Sequence, residues 1–476
     1  MAKPGAASAV PYFGKFGKLW GRSHETFDAS VRRILSVKGE SATPFLQGLV
    51  TSDVTQDKPP APGTQWPLPK LQHDPNADKG GDDDEPEVVF NPHLSATCFL
   101  QNKGRIVTDA LLWKQSADEY LIDVPTESAD ELLAHLKQFK LRRTKVTIED
   151  VSSQVSSHVI YGTLQSAGAP PGYLAGLDPR HPSLGMRVLS LEHPPTHLSS
   201  LVSSVFSAAP GTYNVLRKLS GIAEGVELRN KTALECNQEW LNAVNFHKGC
   251  YVGQELTARS QYTGMVRKRV MPLILTDKFA QVPRPWIVAH QVQEGTRHDQ
   301  VMMATGMTQM PPPLPPLSGA SVGGMWTMMA GGYGNSHDQT NTDQAEETAE
   351  TDKDSPVEMN AMQELVEKIN SIAKPGKKIF DKDDGKTIGQ IVAAPANGTS
   401  VILAQMRLDR VGLTETKTPW KRTNKIMIEG AEEEEDTLRY LPYVPLWWPT
   451  VDPKTGKGMT AEELSNDANE ESDRVN

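Results

Sequence analysis

Apolar and polar positions along this chain fall into periodic blocks, separated by long stretches with no period. The first block runs from about His24 to Gln56. Order resumes at Val88-Val89-Phe90. TCFLQNKGRIVTDALLW, Thr97 to Trp113, reads as two strands around a turn at Asn102-Lys103-Gly104, because two β-favouring runs flank a short Asn/Gly segment. EYLIDV, Glu119 to Val124, predicts a further strand. Ser128 and Glu131 then have the S-x-x-E spacing of a capping box. Leu132, Leu133, Leu136 and Phe139 recur at helical spacing, and Lys140, Arg142 and Arg143 suit the negative end of a helix dipole. Strands are expected over Lys145 to Ile148 and His158 to Tyr161. Thr212 to Leu219 predicts a helix stopped by Gly221, with Tyr213, Leu216 and Leu219 on one face. VRKRVMPLIL, Val266 to Leu275, alternates as a strand does. Glu358 to Ala373 predicts a helix with Met362, Leu365, Ile369 and Ile372 in period. Thr387 to Asp409 reads as strand, turn at Asn397-Gly398, strand.

The aperiodic stretches have their own composition. Asp57 to Glu87 is rich in proline, glycine and aspartate and is read as a disordered loop. Asp277 to Ser355, with PPPLPPLSG and GGMWTMMAGGYG, is read as an insertion outside any regular core. The tail after Glu429 is acidic, and its apolar patch LPYVPLWWP, Leu441 to Pro449, is expected to fold back onto the body, since exposed tryptophans are unfavourable in water. These stretches also explain the charge. The formal net charge is −10, yet Asp74–Glu87, Asp338–Asp354 and Glu429–Asp436 together carry −18, which leaves about +8 on the remainder. A mildly basic body suits an anionic ligand. A length of 476 residues implies two or three domains.

Other features exclude whole classes. Three cysteines, Cys98, Cys236 and Cys250, form no CxxC and no even-numbered framework, which argues against a disulfide-built secreted fold. Nor can three cysteines complete a four-cysteine cluster or zinc site within one chain. No apolar run approaches the ~20 residues of a membrane span. GKT at Gly385 to Thr387 lacks the glycine that a phosphate loop requires, and the histidines show no HExxH. No nucleic-acid partner is expected. Up to Arg22 the chain carries Lys3, Lys15, Lys18 and Arg22 and no acid, which fits a mitochondrial presequence or a basic arm over residues 1–23.

The densest candidate chemistry is KGCYVGQE, Lys248 to Glu255. Cys250 lies between Gly249 and Gly253, which let a ligand approach the main chain. Lys248 is near enough in sequence to stabilise a thiolate, the reactive and metal-binding form. The plain alternative is a small buried hydrophobe among incidental neighbours. Tyr251 is a candidate to pack on a planar ligand, Gln254 and Glu255 to hydrogen-bond it, and Arg259 to supply positive field. His247 is the first further metal ligand to test. Asp109, in KGRIVTDA, places a carboxylate in an apolar strand, so it is either functional or ion-paired with a neighbour such as Arg105. Asn237 and Glu235, in ALECNQEW, are polar candidates, and Glu235 equally suits a helix N-terminus.

KGCYVGQE followed by Thr257-Ala258-Arg259 resembles the signature of the YgfZ family, a folate-binding branch of the aminomethyltransferase (glycine-cleavage T-protein) superfamily that supports iron–sulfur cluster assembly. FLQGLVTSDV, Phe45 to Val54, resembles the superfamily's opening motif, in which a short apolar helix leads into a polar turn. The resemblance covers roughly 24–56, 88–276 and 363–413, and is similar to the fungal-like mitochondrial branch. It implies an α+β fold: N-terminal and middle subdomains around a central cavity over 24–276, then a small C-terminal β-barrel over 358–428 and an acidic tail over 429–476. It implies a matrix protein that helps mature [4Fe–4S] enzymes of the aconitase and radical SAM types, with tetrahydrofolate as cofactor. It also implies A-type cluster carriers and recipient apo-enzymes as partners, and Cys250 as a ligand to a transient cluster shared with a partner. Asp109 sits where the aminomethyltransferases place an aspartate close to folate. The chain lacks their full glycine- and aspartate-rich turn. A folate-dependent one-carbon transferase and a non-catalytic adaptor are the alternatives. The first makes Asp109 indispensable, the second the insertion 277–355.

Overall fold

The computed structural model describes residues 23–28, 30–55, 91–161, 172–181, 184–191, 206–207, 211–276, 356–395, 399–411, 424–431, 438–442, 448–449, 451–452 and 454–459. The basic arm before residue 23, both expected insertions, the Asn397-Gly398 turn and most of the acidic tail lie outside them. Strands β1 (Ser23–Phe27) and β2 (Arg32–Lys38) lead to a short helix α1 (Ala42–Gln47). Then come β3 (Leu94–Leu100), β4 (Ile106–Ser116), β5 (Glu119–Pro125), α2 (Thr126–Phe139), β6 (Thr147–Asp150), β7 (Ser156–Tyr161), β8 (Tyr173–Leu177), β9 (Met186–Ser190) and β10 (Phe206–Ser207). Helix α3 (Thr212–Leu219) passes through two 3-10 turns, Gly225–Glu227 and Leu234–Cys236, to α4 (Gln254–Tyr262) and β11 (Lys268–Thr276). Helix α5 (Pro356–Ile372) precedes β12 (Lys378–Asp381), β13 (Thr387–Ala393), β14 (Val401–Arg407), β15 (Asn424–Ile428) and β16 (Leu438–Pro442).

The strands form three sheets, and the expected α+β class holds. One sheet has the order β10-β1-β7-β9-β8, a second has β3-β4-β5-β2-β6, and a closed barrel runs β11-β14-β13-β12-β15-β16. Among the described residues all pairings are antiparallel except β1 with β10. Every residue of β4 from Ile106 to Trp113 is buried, so both faces of this strand are covered. Ala110 and Leu112 share a core with Leu46 of α1 and with Leu132 and Leu136 of α2. By alternation Asp109 points to the other face, with Leu111 and Trp113, whose cluster includes Ala223, Leu228, Cys236 and Tyr251. A helix as short as α2 is marginal alone. Burying Leu132 and Leu136, at roughly 1.5–3 kcal/mol each, fixes it on the sheet.

Three local expectations are corrected. Helix α2 starts at Thr126, because β5 runs straight through Pro125 into it, and proline's fixed φ suits a helix entry. Ser128 is therefore inside the helix, buried with no hydrogen-bond partner for its hydroxyl among the described residues, while Glu131 pairs with Arg229 at 2.6 Å. Strand β6 begins at Thr147, later than expected. The barrel is not a single segment: β11 comes from before the insertion and β16 from the region read as tail. The tail's apolar patch does return to the body, where Trp448 stands edge-on to Trp240 with ring centroids 5.2 Å apart. Among the described residues no helix is long and apolar enough to cross a membrane.

Candidate functional site

KGCYVGQE forms the loop that enters α4. Of the three cysteines, Cys250 alone is exposed; Cys98 and Cys236 are buried, and burial pushes both thiols up. Cys98 faces Asp109 across the β3–β4 ladder and its Sγ donates to Gln238 Oε1 at 3.2 Å.

The loop's backbone is tied to residues that follow α1. Asn245 N–H donates to Thr51 O at 2.9 Å, and Val252 N–H to Gly48 O at 3.0 Å. Asn245 Oδ1 accepts from the N–H groups of His247 and Lys248 at 2.8 and 3.1 Å. The Lys248 ammonium donates to Gln47 O at 2.8 Å, Val50 O at 2.6 Å and Ser52 O at 2.8 Å. An ammonium has three donors, and all are used. Burial lowers Lys248 to about 8, with Asp53 opposing that shift. Lys248 is thus committed to carbonyls, contrary to its expected role as a cation serving the thiol.

Gly253 and Gly104 explain why this loop needs glycine. Both have left-handed backbones, with φ of +78° and +77°. A Cβ on Gly253 would lie 2.5 Å from Gln101 O, and one on Gly104 would lie 2.5 Å from Leu256 Cβ. The backbone approaching Gly253 is therefore the β3–β4 turn, not a ligand. At Gly249 a Cβ would meet nothing within 4 Å. Tyr251 is buried in the core under the Lys248 ammonium, 4.9 Å from the ring centroid, and presents no face to a planar ligand. Gln254 is half-buried, whereas Glu255, Arg259 and His247 are exposed. Glu255 stands in the first turn of α4, where the dipole favours it. Asn237 is a buried corner: its φ is +60°, its Nδ2 donates to Val270 O at 2.8 Å, and its Oδ1 accepts from Arg269 Nη1 at 3.0 Å. Glu235 accepts from Gln405 Nε2 at 3.1 Å. Among the described residues no group of three or more His, Cys, Asp or Glu is placed to hold a metal ion, and Cys250 is a single exposed thiol.

Asp109 belongs to a second, buried assembly. Its Oδ1 accepts from Gly225 N–H at 2.7 Å and its Oδ2 from Arg180 Nη1 at 3.4 Å. Arg105, the partner expected from sequence, is exposed and donates instead to Asn230 O at 3.0 Å. Glu224 accepts from Arg180 Nη1 at 2.5 Å, the Tyr213 hydroxyl at 2.5 Å and Arg32 Nη1 at 3.2 Å. Asp178 pairs with Arg180 at 2.8 Å and Arg187 at 3.0 Å, and Asp123 with Arg32 at 2.5 Å. Burial and the neighbouring Glu224 push Asp109 up to about 6, while the surrounding arginines hold Glu224 well below the usual range. Sequence reading missed Arg32, Arg180, Arg187, Asp178 and Glu224. One signal was available: Arg187 interrupts the apolar run of β9, whose five residues are all buried. Asp109, Asp123, Asp178 and Glu224 are all buried and already paired with arginine, tyrosine or backbone N–H. As arranged, the cluster presents no exposed carboxylate to a pterin's N–H donors.

The search of protein-family models finds no match for this chain. Among curated proteins it is 32% identical over 253 residues to the mitochondrial iron–sulfur cluster assembly factor IBA57 homolog of Mycosarcoma maydis, covering 51% of this chain and 55% of that one. It is 30% identical over 287 residues to the counterpart in Pyricularia oryzae, covering 58% and 61%. The chain therefore spans a little over half the length of these relatives. A solved structure of the glycine cleavage system aminomethyltransferase T from Bartonella henselae overlays with a TM-score of 0.47 at 10% identity, over 92% of this chain and 90% of that one.

Proposed function

We propose that this chain, a relative of the IBA57-type assembly factors, works in the mitochondrial matrix on the maturation of [4Fe–4S] proteins. The observation that carries the reading is the exposed Cys250 thiol on a loop whose backbone is tied at Asn245 and Val252 to the segment after α1. On coordination the thiol would release its proton to the surrounding water as sulfur gives an electron pair to iron of a cluster, which is the cargo. One thiolate leaves the remaining ligands to be supplied by others, which calls for a cluster-bearing partner such as an A-type carrier. Delivery then runs to apo-enzymes of the aconitase and radical SAM types. Exposed Arg259 offers positive charge on the same helix that begins just after the thiol.

The one-carbon transferase reading rests on Asp109, whose carboxyl at about 6 is suited to proton transfer near neutrality. That carboxyl is buried among arginines in the structure, so no step of the proposal runs through folate. Titration calorimetry with tetrahydrofolate tests this directly; tight binding, lost in Asp109→Asn, would move the weight to the transferase.

The deciding experiment mixes the protein anaerobically with an A-type carrier, iron and sulfide, and records visible absorption for wild type and Cys250→Ala. A cluster chromophore on the wild-type complex, lost in the variant, is the expected result. Because the side chain is exposed, the variant's stability should stay within about 0.5 kcal/mol of wild type. Equal spectra would remove Cys250 from ligation.

A further inference from the structure

Lys248 lies two residues before the exposed thiol, yet its ammonium is buried and turned away into the backbone of a segment some 200 positions earlier, at sequence separations of 201, 198 and 196. We infer that Lys248 is a positioning residue: it binds the 47–52 segment and the 245–252 segment into one rigid unit, and thereby fixes where Cys250 meets a cluster borne by a partner. The inference rests on the proposed role of Cys250.

Three observations carry it. First, the carbonyls that Lys248 takes have few other donors to meet them. Gln47 ends α1, where the last carbonyls of a helix lack intrahelical partners, and Val50 and Ser52 follow in the turn. A buried cation at the negative end of a helix satisfies them and is favoured by the dipole. Second, the clamp is flanked on both sides by backbone bonds between the same two segments, Asn245 N–H to Thr51 O and Val252 N–H to Gly48 O. Cys250 lies inside the bracket that these bonds and Lys248 define. Third, the 47–52 segment is itself anchored. Gln47 Nε2 donates to Asp53 Oδ1 at 3.0 Å, Val54 N–H donates to Gln47 Oε1 at 3.0 Å, and Cys98 N–H of β3 donates to Thr51 Oγ1 at 2.8 Å. The sequence blocks FLQGLVTSDV and KGCYVGQE are therefore two halves of one device. A compact ammonium can converge on three carbonyls; a planar guanidinium has a different donor geometry, so arginine should not replace it.

The test compares wild type, Lys248→Met, Lys248→Arg and Cys250→Ala, all confirmed folded by circular dichroism. Two readouts are taken: the pH profile of iodoacetamide alkylation at Cys250, followed by peptide mass spectrometry, and cluster chromophore yield with an A-type carrier. Positioning predicts that Lys248→Met keeps the wild-type alkylation midpoint but loses chromophore roughly tenfold, since a displacement near 1 Å disturbs a shared site that strongly. Lys248→Arg should lose it similarly. A midpoint that rises by a unit or more in Lys248→Met and returns in Lys248→Arg would mean that Lys248 acts by charge, and would overturn the inference. So would wild-type chromophore in Lys248→Met while Cys250→Ala lacks it. Chromophore retained in Cys250→Ala would instead sink the cluster-ligand reading itself. If neither lysine variant folds, lysine acylation of the wild type decides: Lys248 should react as slowly as the other buried lysine among the described residues, Lys218, and reaction as fast as the exposed Lys145 would refute the clamp.

Discussion

The cysteine loop and the buried arginine–carboxylate cluster solve opposite problems with similar groups. In the loop, a buried cation is spent on backbone carbonyls and the reactive side chain is left in solvent. In the cluster, cations are spent on carboxylates, and Arg32, Arg180, Arg187, Asp123, Asp178 and Glu224 are all buried. The loop thus leaves its thiol in solvent, whereas the cluster uses its charges internally. Richness in charged groups is therefore a poor guide to which region does chemistry; what each group already holds is the better one.

The strongest way to break the comparison is to open the cluster. Arg180 touches Asp109, Asp178, Glu224 and Tyr213 at once. Arg180→Met leaves several buried carboxylate oxygens without their donor, and should lower stability by about 3–5 kcal/mol in urea unfolding. A loss below about 1 kcal/mol would show that the cluster is wet and accessible, and would reopen it as a ligand site.

The same contrast explains what the sequence revealed. Strands β3 to β7, β11, β13 and β14, helices α3 and α5, and the glycine-bracketed Cys250 follow from local period and spacing, whereas β1, β2, β8 to β10, β12, β15 and β16 are not read from the sequence. Asp109 stood out because a carboxylate in IVTDALLW must be met by something. What met it was Arg180, brought there by tertiary pairing across 71 positions, which no local pattern encodes. Lys248 failed for the same reason: adjacency to Cys250 in sequence pointed to the thiol, while the folded chain carries its ammonium to Gln47, Val50 and Ser52. The barrel's extent was hidden because β11 and β16 flank long stretches without period.

A smaller effect separates a strained carboxyl from a paired one. Burial and Glu224 raise Asp109 from its ordinary 3.8 to about 6, so the folded protein holds that proton more tightly than the unfolded chain. Its contribution is therefore fully present below pH 3.8 and is lost as pH rises through 6. Asp109→Asn keeps an oxygen for Gly225 N–H and cannot ionise. It should match wild type near the acid end and exceed it by roughly 2–3 kcal/mol above pH 7, measured by urea unfolding across the range. A wild type more stable than the variant at pH 8 would mean that the ion pair with Arg180 outweighs the desolvation of Asp109.

The mildest probe asks whether the two glycines beside Cys250 differ as the geometry requires. At Gly253 an added methyl meets Gln101 O at 2.5 Å and Leu100 Cβ at 2.9 Å, on a backbone with φ of +78°. Left-handed backbone alone disfavours a side chain by roughly 1–2 kcal/mol, and the contact with a carbonyl adds to that, because the β3–β4 turn would have to move away. Gly253→Ala should therefore lose about 2 kcal/mol or somewhat more. Gly249→Ala, facing open space, should stay within about 0.5 kcal/mol. The pair also tests function independently of stability. A methyl at Gly249 sits on the exposed side next to Cys250, so it should leave the fold intact while crowding a partner's cluster. If Gly249→Ala proves as destabilising as Gly253→Ala, the loop is packed rather than presented, and the contrast between an open cysteine loop and a closed cluster fails at its more consequential end.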